Sequence, residues 1–160
     1  MATPSAGEPA PDFELPSTGG RPVRLSDLKG RPVVLFFYPK DMTSGCTAEA
    51  CAFQASLPDF SEVDAEIFGI SRDSLDSHAK FREKEGLAFD LLSDVDGDVN
   101  ERYGVWKEKT MYGKSHKGIE RTTFVIGPDG RIARVFPKVK VEGHADEVLE
   151  AVRELQDQAG

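Results

Sequence analysis

Two thiols, Cys46 and Cys51, stand five positions apart in a chain of 160 residues with no other cysteine. Paired sulfur can staple a fold, hold a metal or cycle between thiol and disulfide. A staple framework calls for more cysteines in a smaller chain. Structural zinc would need two further ligands, and His78, His116 and His144 are scattered singly, as surface residues would be. Redox chemistry remains, and position favours it. Cys46 is expected in the first turn of a helix that follows a buried strand. Unpaired backbone N–H groups and the helix dipole favour an anion there, and a thiolate is one. Open α/β sheets place their sites in such loops, at the carboxyl ends of strands. The competing reading makes Cys46 an inert, small apolar side chain on the buried helix face.

The elements that would position these thiols follow from periodicity. Val33 to Tyr38 is apolar on both parities, which predicts a central strand covered on both faces, ended by Pro39. Cys46, Ala50, Phe53 and Leu57 fall on one face of a helix from Ser44 to about Leu57, capped by Thr43 or Ser44. Ile67–Ile70, Phe89–Leu92 and Thr122–Ile126 read as further strands. A helix from Ser74 to Lys84, ended by Gly86, and a short acidic helix within Val95 to Tyr103 lie between them. Gly127-Pro128-Asp129-Gly130 is a turn, so Arg131 to Phe136 pairs back as a hairpin. A last helix runs from about Ala145 to Gln158, with Val148, Leu149, Val152 and Leu155 as its buried stripe. Upstream, Phe13–Leu15 and Val23–Leu25 form a hairpin around Ser17–Gly20, then one helical turn closes at Gly30. Residues 1–9 read as a flexible tail. Alternation of strands and helices predicts an α/β domain over 1–160 with helices on both faces of its sheet. That sheet is parallel at first and made mixed by the terminal hairpin.

Several stretches now carry a resemblance. Pro39-x-x-x-Thr43-x-x-Cys46 resembles the active-site signature of the peroxiredoxins. With Pro11–Leu15, Val33–Lys40, Gly45-Cys46-Thr47, Tyr103–Lys107 and Arg121–Phe124 in order, residues 8 to 155 resemble the Q-type peroxiredoxins, also called bacterioferritin comigratory proteins. One departure is Ser44, where that group often has Pro; Ser suits a helix start. The resemblance implies a thioredoxin-like fold, with a central mixed sheet, helices on both faces and an N-terminal β-hairpin extension. It implies a thiol peroxidase with no cofactor or metal. Cys46 would be the peroxidatic cysteine, attacking peroxide to become a sulfenic acid. Thr43 and the Cys46 N–H would donate to the peroxide. Arg121 would hold the sulfur ionised, Pro39 would shield it, and Glu49 would hold Arg121. Cys51 would resolve the sulfenic acid as an intramolecular disulfide, recycled by thioredoxin or a similar dithiol. No partner subunit is then needed, which favours a monomer.

Each role has a plainer alternative. Thr43 reads equally as an N-cap, Pro39 as a strand terminator, Glu49 as a solvated acid and Arg121 as a surface charge. Trp106 and Tyr112 read as core or pocket-wall aromatics. Asp94 to Asp98 lacks the spacing of a calcium loop and reads as a solvated turn. A thioredoxin-type protein disulfide oxidoreductase is the other enzyme reading, yet it would carry Cys-x-x-Cys, and the spacing here is Cys-x4-Cys. A binding module that borrows the fold is the third. A net charge of −8 argues against nucleic acid and anionic membrane as partners. The longest apolar run, Val33 to Tyr38, is far short of the roughly 18 residues of a membrane span. The opening residues carry no basic and apolar leader pattern, so the expected compartment is the cytoplasm.

Overall fold

The computed structural model describes residues 3–111 and 113–159. Short strands Glu14–Leu15 (β1) and Val23–Arg24 (β2) pair antiparallel as the expected N-terminal hairpin. A 3-10 turn over Leu25–Leu28 leads into Val33–Phe37 (β3), whose five side chains are all buried. Then follow Ser44–Ala55 (α1), Leu57–Glu62 (α2), Glu66–Ser71 (β4), Leu75–Glu85 (α3), Asp90–Ser93 (β5) and Asp98–Arg102 (α4). Trp106–Met111 (β6), Lys114–Ile119 (β7), Thr122–Ile126 (β8), Ile132–Phe136 (β9) and His144–Ala159 (α5) complete the chain.

The central sheet has the order β5-β4-β3-β8-β9. β3 pairs parallel with β4, and β4 with β5; β8 runs antiparallel to both β3 and β9. This is the mixed sheet that the alternation predicted, and it agrees with the thioredoxin-like fold that the resemblance implies. Because β3 alternates faces, it feeds two cores. Val34, Phe36 and Tyr38 pack with Cys46, Ala50 and Phe53 of α1, Phe60 of α2, Phe81 of α3, and Val148 and Val152 of α5. Val33, Leu35 and Phe37 pack on the other face with Phe13, Leu15, Val99 of α4, Tyr103 and Ile119. Helices therefore cover both faces unequally, four on one and α4 on the other.

Local signals explain the ends. Ser74 caps α3 by accepting a hydrogen bond from the Ser77 N–H at 3.2 Å, and Gly86 ends it with φ +65°. The helix expected to reach Leu57 instead breaks at Ser56, and α2 starts afresh with Pro58 in its first turn.

Four expectations need correction. The N-terminus is not a loose tail from Thr3 onward: Gly7 N–H donates to Ile132 O, Ile132 N–H to Glu8 O, and Ala10 N–H to Gly130 O. The β6–β7 hairpin was not foreseen, and Trp106 pairs there with Ile119. His78 and His144 are not surface residues; they are 0% and 1% exposed. Polar groups meet both ring nitrogens in each: Asp41 and Leu92 O at His78, and Glu147 of the same helix and Thr123 at His144. Only His116 is exposed as expected. Tyr112 lies outside the described residues.

Candidate active site

The loop between β3 and α1 delivers Cys46. Thr43 is the N-cap, and the first helical bond runs from Thr47 N–H to Thr43 O at 2.9 Å. The N–H groups of Ser44, Gly45 and Cys46 are thus the orphan donors of the helix start. Cys46 sits among them, 1% exposed, packed on the apolar face of α1. Its burial fits the plain apolar reading, but its neighbours do not.

Arg121 precedes β8. The register Phe37↔Thr122 brings it level with Tyr38, at the carboxyl end of β3 and beside the start of α1. Its Nη2 donates to Cys46 Sγ at 3.3 Å, and its Nη1 to Glu49 Oε1 at 2.7 Å. Burial draws the Arg121 pKa down, but the Glu49 and Cys46 charges outweigh it and leave it raised. The guanidinium is a fixed cation on the sulfur. Gly45 permits this approach, since a Cβ there would meet Arg121 Nη2 at 3.2 Å. Sequence reasoning named Arg121 but missed Gly45 as its clearance.

Glu49, one turn beyond Cys46, is 1% exposed, so it is no solvated acid. Its Oε1 holds Arg121, while Oε2 has no partner among the described residues. Burial pushes its carboxyl up to about 7, against the pull of Arg121. The pair orients the guanidinium and leaves Nη2 for the sulfur.

Thr43 is exposed, and its hydroxyl donates to Lys40 O at 2.8 Å. This bond folds the loop back and leaves the hydroxyl oxygen an acceptor. Pro39 follows β3 and is exposed, so the chain brings it to the mouth of the loop. Trp106 is not brought to Cys46. It packs against the other core cluster, and the Arg72 guanidinium lies 4.3 Å over its ring. Of the two readings of Trp106, core or pocket wall, its packing fits the core one.

Cys51 lies in the same intact helix, both thiols are free, and Cys51 is half-buried. Its Sγ donates to Glu85 Oε1 of α3 at 3.5 Å. Burial and then the Glu85 carboxylate push its thiol up. Cys51 is thereby held as the thiol, while Cys46 faces a cation. Asp41, Asp73 and His78 bring three possible ligand atoms within 4.8 Å of one another. Hydrogen bonds within the chain already occupy those groups. The sequence held no signal that would bring Asp41 to Asp73 and His78; Asp73 read only as an alternative to Ser74 for capping α3.

The arrangement can polarise a small electrophile at a buried cysteine sulfur and offer a second thiol nearby. The AhpC/TSA family pattern matches residues 6–135. The chain is 48% identical over 151 residues to peroxiredoxin Bcp of Bacillus subtilis, covering 94% of this chain and 96% of that one. It is 43% identical over 149 residues to peroxiredoxin Bcp of Escherichia coli, covering 93% and 96%. Among solved structures, the bacterioferritin comigratory protein of Xanthomonas campestris superposes with a TM-score of 0.88 at 44% identity, over 93% of this chain and 98% of that one. That protein is described as having alkyl peroxide reduction activity. A mutant of Xylella fastidiosa PrxQ superposes with a TM-score of 0.89 at 39% identity, over 100% and 99%. Family pattern, relatives and fold agree with what a buried cysteine under an arginine can do: the chain is a peroxidase of the AhpC/TSA family, within its Bcp/PrxQ peroxiredoxins.

Proposed function

We propose that Cys46 is the peroxidatic cysteine and Cys51 the resolving one. The Cys46 thiolate attacks the terminal oxygen of a hydroperoxide. The S–O bond forms, the O–O bond breaks, and the departing alkoxide or hydroxide takes up a proton to leave as alcohol or water. Sulfur is oxidised to sulfenic acid and peroxide is reduced. Negative charge moves onto the departing oxygen, so the Arg121 cation and the orphan N–H groups of the α1 start act mainly in the transition state. Thr43 would turn its hydroxyl from Lys40 O to the bound peroxide, and Pro39 would restrict water. Cys51 then gives up its proton and attacks the Cys46 sulfur. The S–S bond forms and the hydroxyl leaves as water. A dithiol reductant of thioredoxin type reopens the disulfide.

Supporting this reading is the 3.3 Å contact of Arg121 Nη2 with a buried Cys46 Sγ at a helix start. The Xanthomonas campestris relative extends the expected substrates to organic hydroperoxides. Both thiols belong to one chain, which is the basis for expecting a monomer. The test adds one equivalent of hydrogen peroxide to the reduced protein and maps the product. A Cys46–Cys51 disulfide is expected. A stable sulfenic acid on Cys46 with Cys51 still alkylatable would remove Cys51 from the cycle. No change on Cys46 would remove the whole assignment.

A further inference from the structure

The β3–α1 loop contains a buried charged group that the chemistry above does not use. Asp41, five residues before Cys46, is 5% exposed. Its carboxylate is the hub of a network drawn from three elements. The Tyr38 hydroxyl, just past β3, donates to Oδ1 at 2.6 Å. From α3, Ser77 Oγ donates to Oδ2 at 2.7 Å, and His78 Nδ1 meets the same oxygen at 2.7 Å. The Asp41 backbone N–H donates to Asp73 Oδ2 at 2.8 Å, which also accepts from Ser71 Oγ at the end of β4.

Both ring nitrogens of His78 join the network. Nε2 lies 2.9 Å from Leu92 O, and a carbonyl can only accept, so Nε2 carries a hydrogen. Nδ1 lies 2.7 Å from Asp41 Oδ2 and 3.3 Å from the Tyr38 hydroxyl. The His78 ring is 0% exposed and the Asp41 side chain 2%. Burial opposes the Asp41 charge, but the hydrogen bonds from His78 and Tyr38 overcome it and hold its carboxyl below the usual range. Such pairs are costly to bury and survive where they fix one arrangement.

The arrangement fixed here is a strained one. Met42, directly after Asp41, has φ +63° and a side chain 44% exposed. A left-handed non-glycine residue persists only where its surroundings over-determine it, and the exposed Met42 side chain contributes little. Asp41 supplies the hold on one side and the Thr43–Lys40 bond on the other.

We propose that the buried Asp41–His78 pair is the pin that holds the Cys46 loop in its peroxide-ready form, and that Asp41 is a positioning residue setting how readily α1 unwinds toward Cys51. The proposal rests on Cys51 as resolver, because resolution is where unwinding is needed. The pin acts on the balance between two states of the loop. The intact state reacts with peroxide, and the unwound state forms the disulfide. While the intact state dominates, loosening the pin leaves the first step almost untouched and speeds the second in proportion.

The test compares the parent with Asp41→Asn and Ser77→Ala. Asparagine keeps the shape. Its amide replaces the carboxylate, which weakens the hydrogen bonds that meet at this hub. The Cys46–Cys51 disulfide, followed by rapid quenching after one equivalent of hydrogen peroxide, should form about tenfold faster in Asp41→Asn and about threefold faster in Ser77→Ala. Over-oxidation of Cys46 in excess peroxide should fall by the same factors. The peroxide step itself should change by less than about twofold. Amide exchange at residues 40–43 should quicken in both reduced variants.

A loss confined to stability would slow both steps together, and that result overturns the pin. So would unchanged disulfide formation and unchanged exchange in both variants. If Asp41→Asn does not fold, Ser77→Ala at the edge of the network carries the comparison. If the parent forms no Cys46–Cys51 disulfide, the resolver assignment fails, and exchange at 40–43 alone decides the pin.

Discussion

Around Cys46 the decisive residues are those that bring charge to the sulfur and hold it there. Arg121 reaches the sulfur only because Glu49 takes its other nitrogen and Gly45 leaves room. Replacing Arg121 by Ala should slow the peroxide step about 10²–10³-fold, the usual loss of a preorganised donor. Stopped-flow measurement of the first step checks it, and a change below threefold would displace Arg121 from the pocket. Cys46→Ser should abolish turnover, since a hydroxyl is not ionised at neutral pH and attacks peroxide poorly. Glu49 gives a pH prediction. Its folded carboxyl stands at about 7 against an ordinary 4.5, because burial outweighs Arg121. Below the ordinary value it is protonated whether folded or not. Between the two values only the folded protein keeps the proton, so stability falls as pH rises through that window and stays lower above it. Glu49→Gln should flatten this slope in melting curves taken across the window. A slope equal to the parent's would mean that Glu49 stays ionised throughout, held by Arg121.

At the scale of elements, α1 sets a geometric conflict for the proposed cycle. Cys46 and Cys51 both lie within Ser44–Ala55. Five residues of helix place their Cα atoms roughly 8.6 Å apart, about 140° around the axis. A disulfide tolerates up to about 7 Å with the Cβ atoms facing. The bond and the intact helix exclude each other. Amide exchange over residues 43–51 should therefore be faster in the oxidised protein than in the reduced one. Equal protection in both states, with the disulfide mapped, would contradict the geometry. Elements such as this were legible in the sequence because their pattern is local. β3 is apolar on both parities, α1 keeps its helical face, and α3 has Ser74 before it and Gly86 after it. The β6–β7 hairpin was not legible. Its strands, Trp-Lys-Glu-Lys-Thr-Met and Lys-Ser-His-Lys-Gly-Ile, are mostly charged or polar and show no alternation. Pairing there is set by backbone bonds and by the ends, where Trp106 meets Ile119. The same limit hid Asp41 and His78. Their bond spans 37 residues, and no periodicity in either segment announces a buried pair.

Across the whole molecule, the two faces of the sheet divide the work. One carries α1, Cys46 and the helices that bury it. The other is closed by the N-terminal hairpin, α4, Tyr103 and Ile119. The opening segment contributes to the far edge of this body. Three backbone hydrogen bonds tie Gly7, Glu8 and Ala10 to the β8–β9 hairpin, and Pro9 bridges Arg131. Pro4 is buried, and Thr3 Oγ1 donates to Gly104 O at 3.0 Å. A flexible tail would contribute nothing to stability, whereas this segment should contribute about 2–4 kcal/mol, from roughly 1 kcal/mol per hydrogen bond and the cover it gives. The bonds of Gly7, Glu8 and Ala10 lie around the turn after β8, while Arg121 stands at the opposite end of that strand. Deleting residues 2–10 should thus lower the denaturation midpoint and leave the peroxide step within about twofold, because distant sites without shared partners act additively. Urea titration and stopped-flow oxidation of the truncated chain measure the two separately. An unchanged midpoint would restore the loose tail that the sequence suggested. A slowed peroxide step in a protein that still melts cooperatively would show that the far edge of the sheet reaches Arg121 through β8.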